Sequence, residues 1–531
     1  MSALLLSQLL ADGAGRDPDA PAVRSGDGAL TYGEAVAATE RLAAVLQAHG
    51  ARVGDRVGIY VHKSVASFVA VHAVLRAGAA YVPIDPFAPP RAVATIVGDC
   101  GIEVLISEPR QRRALAALAA LAPGLRTVVG VDGADGDPAG LGMVGPAEVA
   151  AASGFRPPKV LSDDLAYVMY TSGSTGVPKG LMHTHRSGLR YAQLAVQTYG
   201  VRPEDRLANS APFHFDISTF ELFAGPLAGA LSLIIPEPYL KMPASLSQLV
   251  ADERCTFWYS VPFLLAELLH RGALEQRDLS AMRWVLFGGE VVDPEVLRRL
   301  MVHLPNARFS NSYGPAEVNQ CLFHHLPGPP EPNQAVPIGT AWDDAEVVVV
   351  DDDRAPVADG VVGELLVRTS TMMDGYWGRP DLDERCFVHT ERPGGRRARW
   401  YATGDLVRRR ADGVHEFVGR RDHQVKVRGN RVELESVEAL LVGRPGVAHA
   451  VAGVAEVEGT TALLAGVVAE AGTEPDLDEL LRHLAEVLPP YAVPYRLVRL
   501  DDVPLTASGK IDRRTVRSRL AEPLTGRGAT P

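Results

Sequence analysis

Cysteine is scarce and scattered. The 531 residues hold four, Cys100, Cys255, Cys321 and Cys386, with no C-x-x-C pair, a spacing that argues against both a disulfide framework and a thiolate zinc centre. Long apolar runs are missing as well. No window reaches the roughly eighteen uninterrupted apolar residues of a transmembrane helix. The opening MSALLLSQLLADG has no basic stretch and is broken by Ser7 and Gln8, so it reads as an amphipathic helix and not as a signal peptide. Long Lys/Arg runs are absent too, and the formal net charge is -11, which disfavours a nucleic-acid partner. These exclusions point to a soluble, cytoplasmic protein whose ligand is a small molecule.

With 47% hydrophobic and 22% charged residues, the chain has material for a real core. Its length exceeds what one core usually organises, so a large domain with a smaller one is expected. β-rich runs such as RVGIYV (56–61), EVLIS (103–107) and TVVGV (127–131) alternate with Ala/Leu-rich helical patterns such as 64–78, as in an α/β fold built of layered βα units. The Gly/Asp/Pro-rich stretch 131–146 reads as a loop between layers. Near residue 420 the pattern changes to that of a compact α+β unit, with a charged hinge at 419–424. The expected domains are therefore 1–421 and a mobile 422–531.

YTSGSTGVPKG (170–180) follows a strand-like run, LAYVMYT (165–171), and precedes a helix expected near His183. Between strand and helix, such a loop can cradle phosphate. Gly173 and Gly176 let backbone N–H groups turn toward an anion, Thr171, Ser172, Ser174 and Thr175 add hydroxyl donors, and Lys179 adds positive charge. It is not a Walker loop, because no Gly-Lys-Ser/Thr triplet follows the glycines. Alone it could equally be a surface turn.

Other blocks stand around it: LTYGEA (30–35), LRAGAAYVPID (75–85), FDIS (215–218), NSYGPAE (311–317), GELLV (363–367), YATGDL (401–406), GRRDHQVKVRGNRVELESVE (419–438), LPPYAVP (488–494) and SGKIDR (508–513). In this order the chain resembles the adenylate-forming superfamily of nonribosomal peptide synthetase adenylation domains, acyl-CoA synthetases and luciferases. The resemblance implies that a carboxylate attacks the α-phosphate of ATP, giving an acyl-adenylate and pyrophosphate, and that a pantetheine thiol then takes the acyl group. In both steps the protein mainly positions reactants and balances charge.

The roles that follow are those the resemblance implies. Asp405 grips the ribose hydroxyls, Tyr313 and its neighbour Gly314 lie against adenine, and Glu317 helps hold Mg2+. Lys510, delivered by the small domain, bridges the substrate carboxylate and the nucleotide, and Arg420 contacts ribose or phosphate. Lys179 and the glycine-rich loop hold phosphate. Asp422 marks the hinge, and VKVRGNR (425–431), with Lys426 and Gly429, swings in for the thiol step. Ala316 departs from the family's usual threonine, removing about one hydrogen bond's worth of contact.

Asp216, by itself a common helix cap, matches in amino-acid-activating members the carboxylate that holds the substrate ammonium. The pocket wall is expected from Ile217, Phe220, Phe263, Leu286, Gly288, Ser312, Gln320 and Cys321. None of these is charged, which suits a small or medium uncharged side chain. YGPAEVNQC and the end of the chain soon after Lys510 look like freestanding enzymes that load β-amino acids for macrolactam polyketides. A freestanding α-amino-acid enzyme is the alternative. No condensation domain precedes the first block and no carrier domain follows the last, so the phosphopantetheine thiol is expected from a separate carrier protein or from CoA. Phe213, His214 and Phe215 line its entry, with His214 expected as a gate or a packed side chain. The pairs His183/His185 and His324/His325 lack further ligands nearby and read as structural. An acyl-CoA ligase and a non-catalytic nucleotide or carrier binder remain as other readings.

Overall fold

The computed structural model describes residues 4–134, 140–171, 178–332, 334–392, 395–421, 424–427, 429–457, 460–470, 472–504 and 513–525. Continuous apolar runs become strands covered on both faces, where polar and apolar residues have no reason to alternate. Phe257–Ser260 and Trp284–Gly288 are buried throughout, and Arg56–Tyr60 at four of its five positions.

Two large sheets result. One has nine strands, in the order Thr340–Ala341, Leu322–His325, Arg308–Tyr313, Trp284–Gly288, Phe257–Ser260, Arg206–Asn209, Leu231–Ile234, Pro21–Ser25 and Gly28–Thr31, parallel through its centre and antiparallel at both ends. The other has eight, from Gly375–Tyr376 through Lys179–Thr184, Leu165–Thr171, Ala80–Pro83, Arg56–Tyr60, Val104–Ser107 and Thr127–Val129 to Gly142–Val144. Helices between them are bounded by local chemistry. Val65–Ala77 starts where Ser64 Oγ accepts from Ser67 N at 3.1 Å and stops at Gly78, whose φ of 89° suits a residue without a Cβ. The main core draws on both sheets and these helices, including Phe68, Tyr81, Tyr167, Phe220, Phe223 and Trp342.

A smaller sheet carries Ala345–Val350, Val362–Thr369, Phe387–Arg392, Arg396–Arg409 and His415–Arg420. Beyond it come the hairpin Gln424–Val427/Asn430–Glu433, the helix Leu434–Val442, and a three-stranded sheet of Val447–Val457, Thr460–Ala469 and Arg496–Arg499. The helices Leu477–Val487 and Arg513–Thr525 bury Leu480, Leu484, Val516 and Leu520 in this domain's own cores. The architecture is α/β, with a large N-terminal domain and a smaller α+β C-terminal one.

Two local expectations are corrected. The glycine-rich segment does not join a strand to a helix. Lys179–Thr184 is a strand antiparallel to Leu165–Thr171, with Thr171 opposite Lys179, and the helix His185–Tyr199 follows it. Thr184 sets that start, since its Oγ1 accepts from Ser187 N at 3.2 Å, while Gly180, where a Cβ would lie 2.8 Å from Val168 Cγ1, lets the strands pack closely. In the stretch 131–146, Gly142–Val144 adds an edge strand instead of remaining loop. Among the described residues no helix is long and apolar enough to cross a membrane, and the four cysteines are free.

Candidate active site

A cavity of about 1000 Å³ opens where the carboxyl ends of Leu165–Thr171, Phe257–Ser260 and Arg308–Tyr313 meet the second domain. Ligands of open α/β sheets gather at such strand ends. Three groups of charged or polar side chains stand at it, two on its lining and one joined to it through Arg431.

At one end, strand pairing sets Asp405 directly opposite Arg420. Asp405 is 4% exposed, its carboxylate accepts from Arg420 and from the Tyr313 hydroxyl, and its backbone N–H donates to Thr403 Oγ1 at 3.0 Å. Burial raises the Asp405 carboxyl above its ordinary range, and Arg420 opposes that. Tyr313 closes the strand Arg308–Tyr313, and Gly314 follows it against Asn319 O, which a Cβ would meet at 1.9 Å.

At a second place the large domain's Glu317 and Lys179 meet the small domain's Arg431 and Glu433. Glu317 is fully buried. It accepts from Arg431 Nη1, 3.2 Å from each carboxylate oxygen, and from Tyr376 OH at 2.9 Å. Burial would raise its carboxyl, but Arg431 and Lys179 together hold it down at about 2. Lys179 Nζ lies 3.5 Å from Glu433 Oε1. Burial lowers the Lys179 ammonium, Arg431 adds to that, and Glu317 and Glu433 oppose it. The hairpin 424–433 thus enters the cavity and pairs with both charged groups of the large domain. Gly429 N donates to Glu290 Oε1 at 2.6 Å, and with φ at 84° a Cβ there would stand 2.8 Å from Val261 Cγ2. Lys426 lines the same cavity. Burial lowers its ammonium, while Asp405, Glu290 and Asp216 pull the other way.

At the third place Asp216 opens a short 3-10 turn, and its Oδ1 accepts from Ile217 N at 3.0 Å. Burial raises this carboxyl to about 6, against the pull of Lys426. Ile217, Phe263, Ser312 and Gln320 line the cavity beside it. Gln320 Nε2 donates to Tyr199 OH at 2.7 Å, and that hydroxyl lies 3.0 Å from Ser312 Oγ. Phe220, Leu286, Gly288 and Cys321 are buried but stand behind the lining. At Gly288 a Cβ would meet Ser312 O at 2.1 Å.

The cavity also takes in Thr171 and His214. Ser172, Gly173, Ser174, Thr175, Gly176, Lys510 and Asp422, the residue expected to mark the hinge, lie outside the described residues. His183 Nε2 is 3.0 Å from Ala316 O, a structural contact just behind the site. No cluster of three His, Cys, Asp or Glu side chains suited to a metal occurs among the described residues. A Mg2+ ion is commonly held by one or two carboxylates plus substrate phosphates, and the buried carboxylate that the large domain supplies in Glu317 fits that donor set.

Sequence reasoning missed Tyr191 and Tyr259, which line the cavity. Tyr259, near the carboxyl end of a buried strand, was recoverable from that position. Tyr191 lies within a helix and carries no local signal. It also missed the pairing of Arg431 and Glu433 with the large domain, since no sequence pattern couples two distant charge pairs.

The sequence matches the model of the AMP-binding enzyme family over residues 10–377 and that of the AMP-binding enzyme C-terminal domain over 436–510. An L-proline-(L-prolyl-carrier protein) ligase of Pseudomonas fluorescens is 36% identical over 96% of this chain and 98% of its own length. A ligase of the same description from Streptomyces coelicolor is 37% identical over 92% of each. In fold, the amide bond synthetase McbA from Marinactinospora thermotolerans superposes with a TM-score of 0.83, covering 97% of this chain and 99% of McbA at 24% identity.

Proposed function

The chain belongs to the AMP-binding enzyme family, and on that premise we propose that it activates a small or medium uncharged amino acid with ATP and passes it to the phosphopantetheine thiol of a separate carrier protein. The observation that carries this is that Asp216, Asp405 and Arg431 line one cavity, and that Arg431 ties to it the buried Glu317, next to the Lys179–Glu433 pair. An ammonium, a ribose and a polyphosphate need those three kinds of partner at different points of one site. The carboxylate of the bound amino acid attacks the α-phosphorus, its oxygen forms the new P–O bond, and pyrophosphate leaves. Asp216 holds the ammonium end, so the carboxylate points toward the nucleotide. Lys179 and the hydroxyls of 171–175 balance phosphate charge, and Lys510 joins them from the small domain. Glu317 would hold Mg2+, which supplies further charge neutralisation on the phosphate oxygens.

The two relatives compared are named for L-proline, which supports including that acid among candidate substrates. The amino group is either α or β to the carboxylate. ATP/pyrophosphate exchange over a panel of L-proline, other small α-amino acids, β-amino acids and the same acids without the amine tests the proposal. Exchange confined to amino acids is expected. Equal exchange with amine-free acids would replace it with an acyl-CoA ligase, and ATP binding without exchange on any acid with a non-catalytic binder.

A pH dependence follows from Asp216. Its carboxyl, raised to about 6, is charged above that pH and neutral below it, and only the charged form pairs with an ammonium. The KM for the amino acid should therefore rise roughly tenfold for each unit that the pH falls below the pKa. The KM for ATP, measured alongside, is the reference. A flat amino-acid KM between pH 7 and 5 would remove Asp216 from that role.

A further inference from the structure

A second, smaller cavity lies behind His214. Its volume is about 20 Å³, and Lys63, Glu237 and His214 supply its polar lining, with Phe213, Pro83 and Ile84 among the rest. His214 also borders the main cavity, so this one residue lines both. A space of this size admits one water, and three polar neighbours are within the number such a water needs.

The charges around this space are buried. Lys63 is 5% exposed. Its Nζ donates to Asn209 O at 2.7 Å, its one hydrogen bond by that nitrogen among the described residues. Its backbone N–H donates to Glu237 Oε1 at 2.8 Å, which fixes that carboxylate at the cavity wall. Glu221 also acts on the Lys63 charge and accepts from Asn209 Nδ2 at 2.8 Å. The charged groups facing His214 are Asp85, Glu237 and Lys63. A buried lysine with spare donors next to a carboxylate costs folding energy, and packing alone offers no return for it here.

Resting on the thiol transfer proposed above, we infer that His214 accepts the thiol proton and that a water held by Lys63 and Glu237 in the small cavity carries that proton onward. As sulfur attacks the acyl carbon, the S–H proton passes to His214. The S–C bond forms, the C–O bond to the phosphate of AMP breaks, and AMP leaves with that electron pair. Burial keeps the His214 ring below its ordinary range, with Asp85 and Glu237 opposing and Lys63 reinforcing the shift. The ring is then neutral at pH 7 and able to accept. His214 is the catalytic residue in this step, and Lys63 and Glu237 are positioning residues. This differs from the gate or packed side chain that the sequence alone suggests.

The test measures single-turnover acylation of pantetheine, with the amino acid most active in exchange, against pH in wild type, Lys63→Met, Lys63→Arg and Glu237→Gln. Acylation should fall on the acid side as His214 takes a proton. Removing the lysine charge should move that limb to higher pH, and removing the glutamate charge should move it lower, each by roughly half a unit to one unit. Lys63→Arg should leave it near the wild-type position. The exchange profile of each variant is the internal reference, and Glu237→Gln decides the matter alone if Lys63→Met does not fold. Limbs that stay put, or that move together in one direction, would overturn the relay. Absence of acylation by wild type with exchange intact would instead count against the thiol acceptor of the parent proposal.

Discussion

Asp216→Ala is expected to lower kcat/KM for the amino acid in pyrophosphate exchange by roughly 150-fold to 5,000-fold, the equivalent of the about 3–5 kcal/mol lost when one partner of a buried ion pair is removed. The carboxylate faces the cavity from a short turn, with burial already raising its pKa. Without it an ammonium would enter the site with no counter-charge. The loss should sit in the amino-acid term and spare the KM for ATP. Asp216→Asn separates charge from shape, since it keeps an oxygen at the same place. A variant as active as wild type would mean that the ammonium is held elsewhere.

Arg431→Ala is expected to slow transfer to the thiol by roughly 100-fold or more while tightening ATP binding. In the structure Arg431 meets both oxygens of Glu317, whose side chain is fully buried. Removing the guanidinium leaves that carboxylate with Lys179 and the Tyr376 hydroxyl, and penalises the plugged arrangement of the hairpin by about 3–5 kcal/mol. A penalty of that size moves most molecules out of a two-state equilibrium. Glu317 and Lys179 are then released for nucleotide and metal, so the Kd for ATP should fall. Calorimetry with a non-hydrolysable ATP analogue reads the affinity, and single-turnover acylation reads the transfer. Arg431→Lys should recover part of the transfer rate. Unchanged affinity together with unchanged transfer would show that the four charges do not govern where the hairpin sits.

Most of the fold was legible because its signals are local. Continuous apolar runs marked the buried strands, the Ala/Leu-rich pattern of 64–78 marked the helix Val65–Ala77, and the change of pattern near 420 marked the smaller domain. The strand Lys179–Thr184 was not legible, since KGLMHT has neither clean alternation nor an apolar run, and its pairing with Leu165–Thr171 is a tertiary choice. The site divides along the same line. Asp216, Asp405 and Glu317 stand in recognisable blocks, whereas Tyr191, Tyr259, Lys63 and Glu237 gain meaning only from what the fold sets beside them. Even within a block, side chains separate by depth. Ser312 and Gln320 reach the cavity, while Leu286 and Cys321 are fully buried behind it.

Lys179 pairs with Glu433 and Glu317 with Arg431, and in the proposed reaction the same lysine and carboxylate serve the phosphates of the nucleotide and their Mg2+. The hairpin's two charges fit only where no polyphosphate stands, because a bound nucleotide would already claim the same ammonium and carboxylate. Under that proposal, arrival of the hairpin reports that the first product has gone, and it does so without any dedicated sensor. Order between the two half-reactions is written into which charges are still unclaimed.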